Sequence, residues 1–177
     1  MTLRFYIFFV LSLLLSVEGW SQLATNNKSR LDSLQKLKTV LRERNVVSSP
    51  LVGYAGGNSP YWHSFAFLTL LSNQAELLEM THDKSPAVRL YGYIGLLHKK
   101  YVDTASVRKR LSSDTAQVVS FVSCVVDEIT VAQGLEEIYN WYDEKRTAET
   151  IALIQTDQKY RTHLYRALIG WKPIKRR

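Results

Sequence analysis

Asp83–Lys100, DKSPAVRLYGYIGLLHKK, is the stretch from which the rest of the chain is read. Ser85 has the side chain of a helix N-cap, and Pro86 suits the first helical position, where its missing N–H would have no partner anyway. A helix is therefore expected from Pro86. Leu90, Tyr93, Ile94 and Leu97 fall on one face, and Val88, Tyr91 and Gly95 populate the others, so only Arg89 and the His98–Lys100 end are polar. A helix apolar nearly all round belongs between neighbours. Gly92 and Gly95 each cost about 1 kcal/mol against alanine in a helix interior, which makes sense where a second helix lies directly on the backbone.

Outward from this helix, Gln74–Thr81 reads as an antiparallel partner, with Asn73 and Glu76 in capping-box spacing and a tight His82–Ser85 turn between the two. Asp83, Pro86, Val88, Arg89, Gly92 and Leu96 together resemble the second helix of a HEAT repeat. The resemblance implies an all-α fold, a short stack of helical hairpins of the α-solenoid kind, used mostly for protein–protein contact. It also implies that Arg89 pairs with an aspartate along the stack, Asp83 or Asp114. Asp114 follows Asp83 by one repeat length, aligning Val119 with Val88 and Ser123 with Gly92. A degenerate second repeat over 114–126 is expected on that alignment, and helix is preferred there. Ser120 in the arginine position, Gln117 in the proline position and the strand-like composition of SFVSCVV stand against it.

The flanks add more helices. Lys28–Asn45 carries Leu31, Leu34, Leu37, Val40 and Leu41 at three-and-four spacing, an amphipathic first helix. Val46–Pro60 holds Pro50, Gly53, Gly56, Gly57 and Pro60 and reads as the longest loop. Tyr61–Leu71 is aromatic and aliphatic. Asp103 or Thr104 can cap a helix through Leu111, Thr130 with Gln133 makes another capping box, Thr147–Gln155 is a short helix, and Asp157 opens the last one. Six to eight helices result. The expected divisions are a signal peptide over 1–21, an N-terminal helix and Gly/Pro-rich loop over 22–60, and a HEAT-like helical domain over 61–177.

Met1–Arg4 gives a basic start, Phe5–Val17 an apolar run, and Gly19 and Ser21 the small residues a signal peptidase reads. Export to the periplasm or the medium is expected, with cleavage near Ser21. The run is too short for a ~30 Å hydrocarbon core, which takes about 20 residues. Lysine and arginine (23) exceed aspartate and glutamate (16), a net charge of +7 that survives removal of the segment, because Arg4 and Glu18 cancel. Cys124 is the only cysteine, so no intramolecular disulfide forms, and its apolar neighbours suggest a buried thiol.

No catalytic, cofactor or metal motif stands out. Glu79 and His82 share a helical face, but none of His63, His98 or His163 repeats that spacing, and Gly57-Asn58-Ser59 fails as a nucleophile elbow at Pro60 and Tyr61. Lys99, Lys100, Arg108, Lys109 and Arg110 could converge on one basic face. The expectation is a non-enzymatic scaffold of the bacterial envelope or secreted fraction that binds another protein through a helical surface and needs no cofactor, with self-association a further expectation. A basic module for an anionic polymer or headgroup and a small hydrolase near His63 and the Gly53–Pro60 loop are the alternatives; nucleic acid ranks below both. Tyr61, Trp62, Trp141 and Trp171 are equally core or anchor candidates.

Overall fold

A computed structural model describes residues 27–170; the expected signal peptide over 1–21 and residues 171–177, with Lys172, Lys175, Arg176 and Arg177, lie outside the described residues. The chain divides into two units, Met1–Gln35 and Lys36–Arg177. In the first, the described residues are helical, with the Ser33 hydroxyl donating to the Ser29 carbonyl at 2.9 Å. The helix, α1 (27–44), ends in the second unit, where Leu37 and Leu41 are fully buried.

The second unit is mixed α/β, which overturns the all-α solenoid. After α1 come β1 (Val46–Val52), β2 (Gly57–Asn58), α2 (Pro60–Leu71), α3 (Gln74–Met80), α4 (Pro86–His98) and α5 (Thr104–Leu111). Then follow β3 (Gln117–Ser123), β4 (Val125–Thr130), α6 (Val131–Trp141), α7 (Glu144–Thr156) and α8 (Gln158–Gly170). The sheet order is β2-β1-β3-β4. β1 and β3 are parallel, with Val46 beside Val119 and Val47 beside Ser120, while β2 and β4 add as antiparallel hairpins at the two edges.

Two stretches expected otherwise supply this sheet. Val46–Pro60 is not a loop: Val46 to Pro50 are buried in a central strand with elements on both sides. Pro50 is tolerated because the β1–β3 register shifts between Ser48 and Val52, so no ladder donor is needed from it, and its carbonyl accepts from the Ser59 amide. Gly53 and Gly56, with φ of 75° and 62°, then turn the chain into β2. Likewise 117–130 is a hairpin, not a second repeat. Its β-branched residues pair across a two-residue Ser123-Cys124 turn, Val122 opposite Val125, and Ser123 takes a φ of 53°. Cys124 at the tip is exposed rather than buried. The apolar neighbours gave no hint of this, because a hairpin tip carries its residues out of the core whatever their polarity.

The helical hairpin around Asp83 forms as the pattern predicts, and α4 is the central helix, packing against α2, α3, α5, α6, β1 and β3. A Cβ on Gly92 would stand 3.0 Å from the Leu77 carbonyl oxygen, Met80 Cβ and the Thr81 amide, so α3 rests on the backbone there. Three predicted caps form: Asn73 with Glu76, Thr130 with Gln133, and Asp103 accepting from the Ser106 amide. Ser85 is the exception. Its hydroxyl makes no cap bond, and its amide donates to Asp83 Oδ1 at 2.9 Å.

β4 is an edge strand. Along it the Glu128 amide donates to Asp127 Oδ1, and the Thr130 amide donates to Gln133 Oε1, each at 2.8 Å.

Candidate docking site

The repeat-motif residues are brought together, some in packing and some in ion pairs. Val88, Gly92 and Leu96 are buried. Arg89 meets Asp114, Nε to Oδ2 at 2.7 Å and Nη2 to Oδ1 at 3.0 Å, and donates from Nη1 to the Asp83 carbonyl. Asp114 thus takes the expected arginine. The Asp83 carboxylate instead takes Arg42, whose Nη2 lies 2.6 Å from Oδ2. Burial pushes the Asp83 carboxyl up, but hydrogen bonds from Arg42 and the Ser85 amide outweigh it and hold it below its ordinary value.

Three of the five basic residues meet separate neighbours. Arg110 donates to the Thr81 carbonyl and hydroxyl at the end of α3. Arg108 pairs with Glu136 on α6 at 2.9 Å, and Lys100 sits 3.9 Å from Glu144 at the start of α7. Lys99 is half-buried, its ammonium lowered from the ordinary value by desolvation. Lys109 is exposed.

His63 is the one predicted chemical residue with a shaped setting. Its Nε2 lies 3.1 Å from the Tyr160 hydroxyl, and burial lowers the imidazole from its ordinary pKa against an opposing pull from Ser59. A groove of about 800 Å³ runs past Tyr160, but its described lining, including Asp157, Lys159 and Arg166, comes from α8 and its cap alone. The hydroxyls nearest in sequence are engaged elsewhere. Ser59 is fully buried, hydrogen-bonded to the Ser48 hydroxyl and accepting from the Trp62 amide, while the Ser48 amide donates to the Tyr91 phenol. This cluster ties β1 to α2 and α4. Among the described residues no three His, Cys, Asp or Glu side chains are grouped to hold a metal ion.

The feature that sequence reasoning missed lies at the turn end of the sheet. The Gly53 amide donates to the Ser123 carbonyl at 2.6 Å, and the Ser123 amide donates to Ser49 Oγ at 3.1 Å, so the β1–β2 and β3–β4 turns lie side by side. Their apolar residues face solvent: Tyr54 is 102% exposed, Val125 and Val126 63% each, and Leu51 36%. Seven large hydrophobic residues are exposed among the described residues, and these four share one end; Leu31, Val102 and Leu153 sit on separate elements. Val125 and Val126, consecutive on β4, present one valine on each face of this end, so the exposed apolar residues gather around the sheet tip rather than on one face. The signal in the sequence was Gly53-Tyr54-Ala55-Gly56, an aromatic between turn glycines, visible only once 46–58 is read as a hairpin.

Beside Val125 lies a pocket of about 400 Å³ between the β3–β4 hairpin and α6. Ser120, Val122, Ser123, Val125, Asp127, Glu137 and Asn140 line it, and the Ser120 hydroxyl donates to Glu137 Oε2 at 2.8 Å.

Of the four tryptophans and tyrosines weighed as anchors, Trp62 is core and Tyr61 half-buried. The Trp141 side chain and Trp171 lie outside the described residues. Among the described residues no helix is long and apolar enough to cross a membrane. No protein-family model matches the chain, and no curated protein or solved structure is significantly similar to it.

Proposed function

We propose that this chain is a non-enzymatic binding protein that docks another protein on the turn end of its sheet. The observation that carries the proposal is the clustering of Leu51, Tyr54, Val125 and Val126 on two adjacent turns. A tyrosine at such a place supplies large, rigid contact area and a polar tip, the combination enriched among residues that dominate binding energy. The docking surface therefore moves from the helices, where the repeat resemblance put it, to the sheet. The signal-like Met1–Ser21 places the partner in the bacterial envelope or outside the cell, a placement carried by sequence alone.

The test is a pull-down with tagged protein purified from its own source, against an envelope extract, at low and high salt with mass spectrometry. A Tyr54→Ser/Val126→Ser variant runs in parallel. One protein retained at both salts by the wild type and lost by the variant supports the proposal. Equal recovery by the variant refutes the site. Acidic species captured only at low salt would instead favour the basic-surface alternative.

A further inference from the structure

The pocket beside Val125 gives the docking surface a chemical preference. One sheet face carries the cross-strand pairs Val118–Ile129, Ser120–Asp127 and Val122–Val125, in that order toward the turn. The first pair is buried, and α6 packs against both strands. Glu137 and Asn140, three apart on α6, reach the second and third pairs.

Each carboxylate is held by a neutral donor, and neither has a cation. Glu137 Oε2 accepts from the buried Ser120 hydroxyl, and Asp127 Oδ1 accepts from the Glu128 amide. Among the described residues no lysine, arginine or histidine pairs with either the exposed Asp127 or the half-buried Glu137, although the chain carries a net charge of +7 and the partly buried carboxylates of Asp83 and Asp114 are matched by arginines. The last turn of α6 adds the partial negative charge of a helix C-terminus. Val122 and Val125 form the apolar wall, continuous with the exposed cluster at the turns.

We propose that this pocket receives an arginine side chain of the docked partner. The stem lies on Val122 and Val125, and the guanidinium donates to Glu137, Asp127 and the Asn140 side-chain carbonyl. The inference rests on the docking reading for its partner. Guanidinium suits the site better than ammonium because its planar, weakly hydrated head carries five donors for acceptors that diverge from three residues.

The pocket is tested without knowing the partner, by titrating n-butylguanidinium, n-butylammonium and n-butylurea into the ¹⁵N-labelled protein. The expected result is saturable shifts of the Ser120, Asp127 and Asn140 amides with the guanidinium, weaker shifts with the ammonium and none with the urea. Glu137→Gln and Asp127→Asn should each weaken guanidinium binding about tenfold, the loss of one charged hydrogen-bonding partner. Equal response to the urea, shifts centred elsewhere, or ammonium binding as tightly as guanidinium would overturn the assignment. The captured partner separates the two proposals. If Tyr54→Ser/Val126→Ser loses it while Glu137→Gln/Asp127→Asn keeps wild-type affinity, the arginine pocket is refuted and the docking surface stands.

Discussion

Replacing Gly92 by alanine sets two opposing effects against each other, and the structure decides which wins. Alanine is the better helix former by about 1 kcal/mol, so an unobstructed Gly92→Ala would stabilise α4. Here the new methyl would lie 3.0 Å from three atoms of α3, the Leu77 carbonyl oxygen, Met80 Cβ and the Thr81 amide nitrogen. Two of these are backbone and the third is fixed to it, so no rotamer change relieves the contact. The helix pair must separate by a few tenths of an ångström, and because backbone atoms cannot yield the overpacking cost falls in the upper part of its usual range, about 2–3 kcal/mol. A net loss of about 1–2 kcal/mol is expected. Gly134→Ala is the internal control, because its nearest obstacle, at 2.8 Å, is the terminal Cδ1 of Leu90, which can rotate. It should lose less than Gly92→Ala. Urea unfolding gives both numbers from the midpoint shift, provided the slope is unchanged. A Gly92→Ala protein as stable as wild type, or no less stable than Gly134→Ala, would refute the claim that α3 rests on the backbone of α4.

Removal of the Arg89 guanidinium by Arg89→Ala should lower stability by about 2 kcal/mol, since it leaves the partly buried Asp114 carboxylate with the Ala116 amide but no cation and takes one donor from the Asp83 carbonyl. A double-mutant cycle with Asp114→Ala should return a coupling of at least about 1 kcal/mol; additive losses would dissolve the pair. The imidazoles of His63 and His98 are both lowered from their ordinary value, first of all by burial. A base with a depressed folded pKa binds fewer protons folded than unfolded, so stability is full above about pH 6.5 and falls as the pH drops through the folded values. Chemical denaturation across that window should show the decline, smaller in His63→Phe; a flat or rising profile on acidification contradicts it. Cys124, exposed at the hairpin tip, should react fully with Ellman's reagent in the native protein. A thiol that reacts only after unfolding would mean that the β3–β4 turn is not where it has been placed.

Local chemistry was legible wherever short-range signals agreed with the tertiary context. The Asn73 and Thr130 capping boxes, the Pro86 helix start and the glycines of α4 are consequences of spacing along one or two helices, while the Arg89–Asp114 pair was one of the two that the repeat resemblance implied. The sheet was not legible, because its signals are long-range. Pro50 and the glycines at 53, 56 and 57 break a local pattern, yet β1 is held by β3, some seventy residues away, and the proline falls where the register shifts. At 117–123, alignment on the α4 pattern favoured helix, and the strand-like composition that opposed it carried the correct information. Reading the chain as helical throughout also hid the exposed turn end of the sheet. Tyr54, Val125 and Val126 become neighbours only when β1 and β3 lie side by side, and Glu137 meets Asp127 only when α6 folds back over the hairpin.

The hydrogen bonds along β4 limit how the protein can grow. An open strand edge is ordinarily a template on which another chain adds a further strand, and repetition of that step leads to fibrils. On β4 the amides of Glu128 and Thr130 are already occupied by Asp127 and Gln133, and the Asp127 and Glu128 side chains set one negative charge on each face of the strand. An incoming copy would have to displace both side chains and bring its own carboxylates alongside. Strand addition at this edge is thereby hindered at the Glu128 and Thr130 amides, where an incoming chain finds the ladder donors already taken.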